Sequence, residues 1–151
     1  MWQIRYMMAL ALLAVCAYTD IKERNIYMLP LFVSVLGAQA VLLLSLAGGP
    51  KGKVRDTLLY EVLLPLTAGI VIIAMVKALR AHIGMGDGYL MAALTLMTGV
   101  ETGSLSILVA FFGSAVYGCI KIITGKRRFA RSIPFAPFVL AGFVTVLINE
   151  I

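Results

Sequence analysis

Six apolar runs, separated by short charged or glycine- and proline-containing stretches, fill almost the whole of this 151-residue sequence. They cover residues 2–19, 26–47, 58–79, 88–100, 105–123 and 133–147. A helix needs about 20 mostly apolar residues to cross the hydrocarbon core of a bilayer. The pattern therefore predicts an all-α polytopic membrane protein with about six transmembrane helices.

The composition excludes a soluble globular domain. Hydrophobic residues make up 62% of the chain and charged residues 13%, whereas soluble domains average about 45–50% and about 25%. A soluble fold of this length has too small an interior to bury so much apolar surface. Because the six runs consume nearly all of the length, we expect residues 1–151 to form a single transmembrane domain.

The basic residues lie mainly in short loops between the apolar runs, which is typical of orientation signals in a membrane rather than of nucleic-acid binding. The loops after the first, third and fifth runs hold nine of them: Lys22, Arg24, Lys77, Arg80, Lys121, Lys126, Arg127, Arg128 and Arg131. The opposite side holds four: Arg5, Lys51, Lys53 and Arg55. The positive-inside rule then predicts both termini outside, the odd-numbered loops in the cytoplasm and no nucleic-acid partner.

Two acidic residues, Asp20 and Asp87, stand directly beside apolar runs. Asp20 follows the first run and opens a charged connection over residues 20–25, and Asp87 precedes the fourth run. Two complete crossings separate them, so both are expected at the cytoplasmic face. Taken singly, Asp87 also suits a helix N-cap and Asp20 a helix-end charge. The other five acidic residues are expected to be solvated charges: Glu23, Asp56, Glu61, Glu101 and Glu150.

Glycines surround the second aspartate, at Gly84, Gly86 and Gly88. The fourth run makes only about 20 Å of helix, which is shorter than the hydrocarbon core of about 30 Å. The glycine segment is therefore expected to dip into the membrane as irregular backbone, which is tolerated there only inside protein or beside a wet cavity. An ionisable residue at that depth indicates a functional site. The glycines would also let an extended peptide approach closely.

Two carboxyl groups at close range share a proton, because both cannot be ionised cheaply. One can then act as a base on water while the other acts as an acid on a carbonyl group, which is aspartyl-protease chemistry. Helix dipoles predict that Asp87, at a helix N-terminus, is the anion, and that Asp20, at a helix C-terminus, holds the proton. The two groups titrate as a pair.

At these residues the sequence resembles the type IV prepilin peptidases, membrane aspartyl proteases of the GxGD class. Residues 20–26 read Asp-Ile-Lys-Glu-Arg-Asn-Ile and residues 84–87 read Gly-Met-Gly-Asp, which are similar to the two catalytic segments of that family. A third segment, Ile-Pro-Phe-Ala-Pro-Phe over residues 133–138, resembles the family's motif at the start of the last helix. Alone, this third segment could equally be a proline-marked helix entry.

The resemblance implies a reaction and a place for it. A peptidase of this family removes short, basic leader peptides from prepilins or pseudopilins at the cytoplasmic face of the bacterial inner membrane, with no metal or other cofactor. Asp20 and Asp87 would be catalytic. The residues expected to bind substrate or shape the site are Gly84, Gly86, Gly88, Lys22, Tyr89, Pro134 and Phe135.

The chain looks like the short, peptidase-only form associated with Flp/Tad-type pili, since it has no cysteine-bearing cytoplasmic N-methyltransferase domain. It departs from the family pattern at Tyr27 and Met28, where Pro and Asn are usual, and at Tyr89, where Lys is frequent. Because of these departures, an alternative is that the chain is a catalytically silent homologue that binds pilins. A small proton-coupled transporter is a further alternative, with the aspartates as an ion relay.

Overall fold

The computed structural model describes residues 2–23, 26–47, 58–78, 84–124 and 134–150. Six helices fill these ranges, and the described residues contain no strand, which confirms the all-α prediction. The helices are α1 (Trp2–Glu23), α2 (Met28–Ala47), α3 (Leu59–Ala78), α4 (Met85–Thr98), α5 (Val100–Ile123) and α6 (Ala136–Glu150). The first turn of α3, Leu59–Leu63, is π-helical. The stretches between apolar runs at residues 48–56 and 125–131 lie outside the described residues, as does Arg80.

Four of these helices, α1, α2, α3 and α5, are long and apolar enough to cross a membrane. Their outward surfaces carry large apolar side chains, as on α2, where Leu29, Phe32 and Leu44 are each at least 70% exposed. Such surfaces are stable against lipid tails and not against water. The protein is therefore a polytopic membrane protein.

The short fourth helix lies in the centre of the bundle. Helix α4 packs against α1, α2, α3 and α5, and its residues from Leu90 to Thr95 are all buried. Its 14 residues need not match the thickness of the bilayer, because neighbouring helices rather than lipid surround it. The irregular glycine backbone that we predicted is wrong, since Gly86 and Gly88 lie within the helix and only Gly84 precedes it.

The connection between α4 and α5 is a single residue, Gly99, with φ of 93°. Glycine adopts this left-handed conformation without the steric cost of a Cβ atom, and its N–H donates to the Thr95 carbonyl oxygen at 3.0 Å. The predicted loop over residues 101–104 is therefore wrong, because these residues form the first turn of α5. Gly103 is needed there, since a Cβ at this position would lie 2.8 Å from the Thr95 Cα.

Helix α1 extends further than the apolar run that predicted it. Its α-helical backbone continues past Thr19 to Glu23, so Asp20 lies within the helix and does not open a loop. The buried residues Leu13, Cys16 and Ala17 precede Asp20 on the same side of α1, at the three- and four-residue spacing of a helix face. Asp20 therefore continues the inward-facing stripe of α1.

At the opposite end of the bundle, Glu61, which we predicted to be a solvated charge, forms an ion pair with the buried Arg5. The Arg5 Nη1 atom lies 2.9 Å from Glu61 Oε2, and the two side chains are 2% and 21% exposed. The Arg5 Nη2 atom donates to the Leu96 carbonyl oxygen at 3.5 Å, and Gln39 Nε2 donates to the same oxygen at 3.0 Å. The Leu96 carbonyl is one of the last four of α4, which have no partner within the helix. We call Arg5, Gln39, Glu61 and the Leu96 carbonyl the Arg5 cluster.

Candidate active site

The Asp20 carboxylate lies inside the bundle, where α1 meets the N-terminus of α6. The side chain is 7% exposed, and its Oδ2 atom accepts a hydrogen bond from the Ala136 backbone N–H at 3.0 Å. Ala136 is fully buried and is the first residue of α6. The helix dipole and the free N–H groups of a helix N-terminus favour a negative group at this position.

Asp87 lies in the first turn of α4, at the same end of the bundle. The turn begins at the Gly84 carbonyl oxygen, which accepts the N–H groups of Asp87 and Gly88 at 3.1 and 3.3 Å. The Asp87 side chain folds back over Gly84, since a Cβ at Gly84 would lie 3.3 Å from Asp87 Oδ2. Among the described residues no hydrogen bond donor reaches this carboxyl group.

Two of the glycines beside Asp87 serve the packing of the chain itself. A Cβ at Gly88 would lie 3.0 Å from a Val76 methyl group of α3, and one at Gly86 would lie 3.3 Å from the Ile26 Cβ. We expected these glycines to admit an extended peptide. In the structure, Val76 of α3 covers Gly88 and Ile26 covers Gly86. Gly84 is exposed and is the one of the three that faces outward.

The environment of Asp87 disfavours its ionised form. Asp87 lies outside the four helices that are long enough to cross a membrane. Burial, followed by repulsion from the Asp20 carboxylate, raises the pKa of Asp87 from 3.8 to about 6. Burial therefore opposes the helix dipole at Asp87, and which of the two carboxyl groups is the anion stays a prediction.

The third sequence segment lies beside Asp20. The Phe135 carbonyl oxygen accepts the N–H groups of Phe138 and Val139 at 3.0 and 3.2 Å, which starts α6. The Phe135 ring packs on Phe111 of α5 with ring centroids 5.1 Å apart. Pro134 is partly buried just before this turn. The segment therefore sets where the first N–H of α6 meets Asp20.

Lys22 and Tyr89 occupy different positions from the two aspartates. Lys22 is exposed at the end of α1, where its ammonium lies 5.7 Å from the centroid of the Tyr18 ring. Tyr89 is half-buried and lines a small apolar groove between α3 and α4 with Ile73, Val76, Met85 and Gly88. No described contact joins either side chain to Asp20 or Asp87.

Sequence reasoning missed the polar group closest to Asp20. The group is the Ala136 backbone N–H, which leaves no mark in the residue type of position 136. The flanking prolines, Pro134 and Pro137, were the available signal, because proline lacks an N–H and so limits which donors the first turn of α6 can offer.

Known proteins with similar sequences were found among curated bacterial enzymes. The chain is 29% identical over 86 residues to a Bacillus subtilis (strain 168) protein named prepilin leader peptidase/N-methyltransferase. The aligned residues cover 56% of this chain and 35% of that protein. Proteins of the same name from Burkholderia pseudomallei strains 1026b and K96243 are 36% identical over 78 residues, which covers 50% of this chain and 25% of theirs.

This chain therefore spans about a quarter to a third of the length of these relatives. No family model matches the chain, and no solved structure matches it significantly. The similarity over half of the chain supports a relationship to the prepilin peptidases.

Proposed function

We propose that this chain is a membrane aspartyl endopeptidase that removes the short basic leader peptide from prepilins. The observation that carries the proposal is the placement of two carboxyl groups at one end of the bundle, the buried Asp20 on α1 and the partly buried Asp87 at the start of α4. A pair that shares one proton contains both the base and the acid that peptide hydrolysis needs. The names of the similar proteins support the same activity.

The reaction uses the two carboxyl groups and one water molecule. The ionised carboxylate takes a proton from water as the water oxygen attacks the scissile carbonyl carbon, and the protonated carboxyl group donates its proton to the carbonyl oxygen. The resulting tetrahedral intermediate then breaks its C–N bond. The amine leaves with the proton that the base accepted, one hydroxyl proton of the intermediate returns to the carboxyl group that had protonated the carbonyl oxygen, and the other product is a carboxylic acid.

The substrate that we propose is a type IV, Flp-like prepilin or pseudopilin, cut at the cytoplasmic face of the bacterial inner membrane. Its apolar helix would lie in lipid against the exposed apolar surface of this bundle. The excess of lysine and arginine in the loops on the aspartate side supports the cytoplasmic orientation. The Flp-like class of substrate follows from the sequence resemblance to the short form of these peptidases.

Co-expression with candidate Flp-like prepilins tests this function. Leader removal is followed by gel shift, and the new N-terminus is identified by mass spectrometry. We expect cleavage with the native chain and none with Asp20→Asn or Asp87→Asn. The exposed Glu101, at the start of α5, provides a matched control as Glu101→Gln, which should cleave normally.

Two outcomes would contradict the proposal. Cleavage that persists in both aspartate variants would exclude the dyad. Capture of prepilin without cleavage by the native chain would favour the catalytically silent homologue, which the departures at Tyr27, Met28 and Tyr89 suggest.

A further inference from the structure

We propose that the N-terminus of α6 fixes Asp20 as the carboxylate that activates water, through the Ala136 N–H, and thereby leaves the shared proton on Asp87. This assignment rests on the proposed peptidase function and makes Ala136 a positioning residue that acts through its backbone. It reverses the roles that helix position alone predicts.

The first turn of α6 offers one free N–H group to Asp20. Phe138 already donates its N–H to the Phe135 carbonyl oxygen, and Pro137 has none. The Ala136 N–H is therefore the unpaired donor of the first three helical residues, and Ala136 is fully buried. Without Asp20 this donor would be buried away from water, which native proteins avoid. The contact at 3.0 Å therefore constrains both groups.

A backbone N–H can donate to either oxygen of an ionised carboxylate, and this bond is stronger than one to the carbonyl oxygen of a protonated carboxyl group. The Ala136 bond thus favours the ionised form of its partner. Asp20 Oδ1 accepts no hydrogen bond from the described residues, so it remains available to take a proton from water. Among aspartyl pairs, the member that is held by donors is the one suited to act as the base.

Asp87 has the complementary environment. It is partly buried at the same end of the bundle, and no described donor stabilises its anion. The titratable groups on the described elements at this end are Cys16, Tyr18, Asp20, Lys22, Glu23, Tyr27, Lys77, Tyr89, Tyr117, Cys119 and Lys121. Of these, Asp20 is the one whose charge acts on Asp87, and it acts by repulsion. A negative Asp20 and a protonated Asp87 therefore stabilise each other's charge state.

Replacing one backbone amide by an ester tests the role of the Ala136 N–H. An amber codon at position 136 is suppressed in cell-free translation into liposomes with tRNA carrying lactic acid, which exchanges the N–H for oxygen and keeps the side chain. The same codon suppressed with alanyl-tRNA restores the native chain. The control ester replaces Ala141, which is exposed on α6 and far along the helix from Asp20.

The readout is the pH profile of kcat/KM for prepilin cleavage. With the ester at position 136 we expect the acid limb to move to higher pH, with a loss of about 10- to 100-fold on that limb, and the alkaline limb to stay in place. The ester at position 141 should move neither limb. An acid limb that does not move, or a shift of the alkaline limb alone, would overturn the assignment.

A measurement without substrate separates this inference from the proposed function. Carboxyl carbon NMR of aspartate-labelled protein in micelles, with Asp87→Asn for assignment, should show the Asp87 signal titrating near pH 6. The variant Ala136→Pro, which helices tolerate at the first position, should move this Asp87 titration to lower pH, because Asp20 is then no longer held as the anion. If no prepilin is cut but this titration and its shift are seen, only the peptidase function fails; an Asp87 titration that Ala136→Pro does not move overturns the assignment itself.

Discussion

The two ends of helix α4 hold charged groups in opposite ways. At its C-terminal end, Arg5 and Glu61 are buried as a pair of opposite sign at 2.9 Å, and donors satisfy the Leu96 carbonyl oxygen. At its N-terminal end, Asp87 faces a second carboxylate of the same sign, and their repulsion adds to the cost of burial. The difference indicates that opposite charges stabilise the Arg5 cluster, whereas at the aspartate end burial and the charge of Asp20 make the ionised form of Asp87 less favourable.

The largest expected effect is on the chemistry of the aspartate end. Asp87→Asn removes the proton donor and should lower kcat/KM for prepilin cleavage by about 100- to 10,000-fold. The variant should not unfold more easily, because a neutral side chain replaces a carboxyl group whose ionisation is disfavoured there. Cleavage assays and thermal unfolding of the same purified sample measure both. A parallel loss of folding would mean that Asp87 is structural.

The Arg5 cluster should show the reverse behaviour. Arg5→Met leaves the Glu61 carboxylate buried without its cation and should destabilise the bundle by about 3 kcal/mol, at the low end for buried pairs because Glu61 is partly exposed. Adding Glu61→Leu should restore much of this stability, because the uncompensated charge is then gone. Reversible unfolding in mixed micelles measures the double-mutant cycle. Equal and additive losses from the two substitutions would mean that the ion pair does not couple them.

The aspartate end should also be sensitive to pH. Because the pKa of Asp87 is raised to about 6, kcat/KM should fall about tenfold per pH unit above that value as the proton is lost. The same shift stabilises the folded chain most below pH 3.8, the ordinary value, and this contribution is lost as the pH rises through about 6. A pH-independent rate across the neutral range would contradict a proton on Asp87, and Glu101→Gln should leave the profile unchanged.

Hydropathy predicted the helices well, because long apolar runs are stable in lipid. Counting the membrane crossings then placed Asp20 and Asp87 at the same end of the bundle. Hydropathy could not predict that α4 is central, since a short apolar run reads the same whether lipid or protein surrounds it. It also misplaced the turn before α5. The residue that marks this turn is Gly99. The polar residues 101–104 predict a loop, but they are helical, and Gly103 packs closely against Thr95.

The side-chain pairings could not be predicted from the sequence, for a different reason. Arg5 and Glu61 are 56 positions apart, and neither has a neighbour pattern that marks it as buried. The hydrogen bond from Ala136 to Asp20 spans 116 positions and uses a backbone group that every residue except proline has. Such contacts depend on how the helices pack, which local periodicity does not encode.

The smallest expected effect distinguishes two roles of the Arg5 cluster. One role is to form hydrogen bonds to the C-terminal end of α4, and the other is to place charges there. Gln39→Leu removes the hydrogen bond to the Leu96 carbonyl oxygen, while Arg5 still donates to the same oxygen at 3.5 Å. The loss should be about 1 kcal/mol of unfolding free energy, with kcat/KM nearly unchanged, because Asp87 lies at the other end of the helix. The exposed Thr67, which bonds only within α3, offers a matched control as Thr67→Val, with a smaller loss. If Gln39→Leu lowers kcat/KM as strongly as it lowers stability, then the Arg5 cluster positions Asp87 through α4, and the two ends form one functional unit.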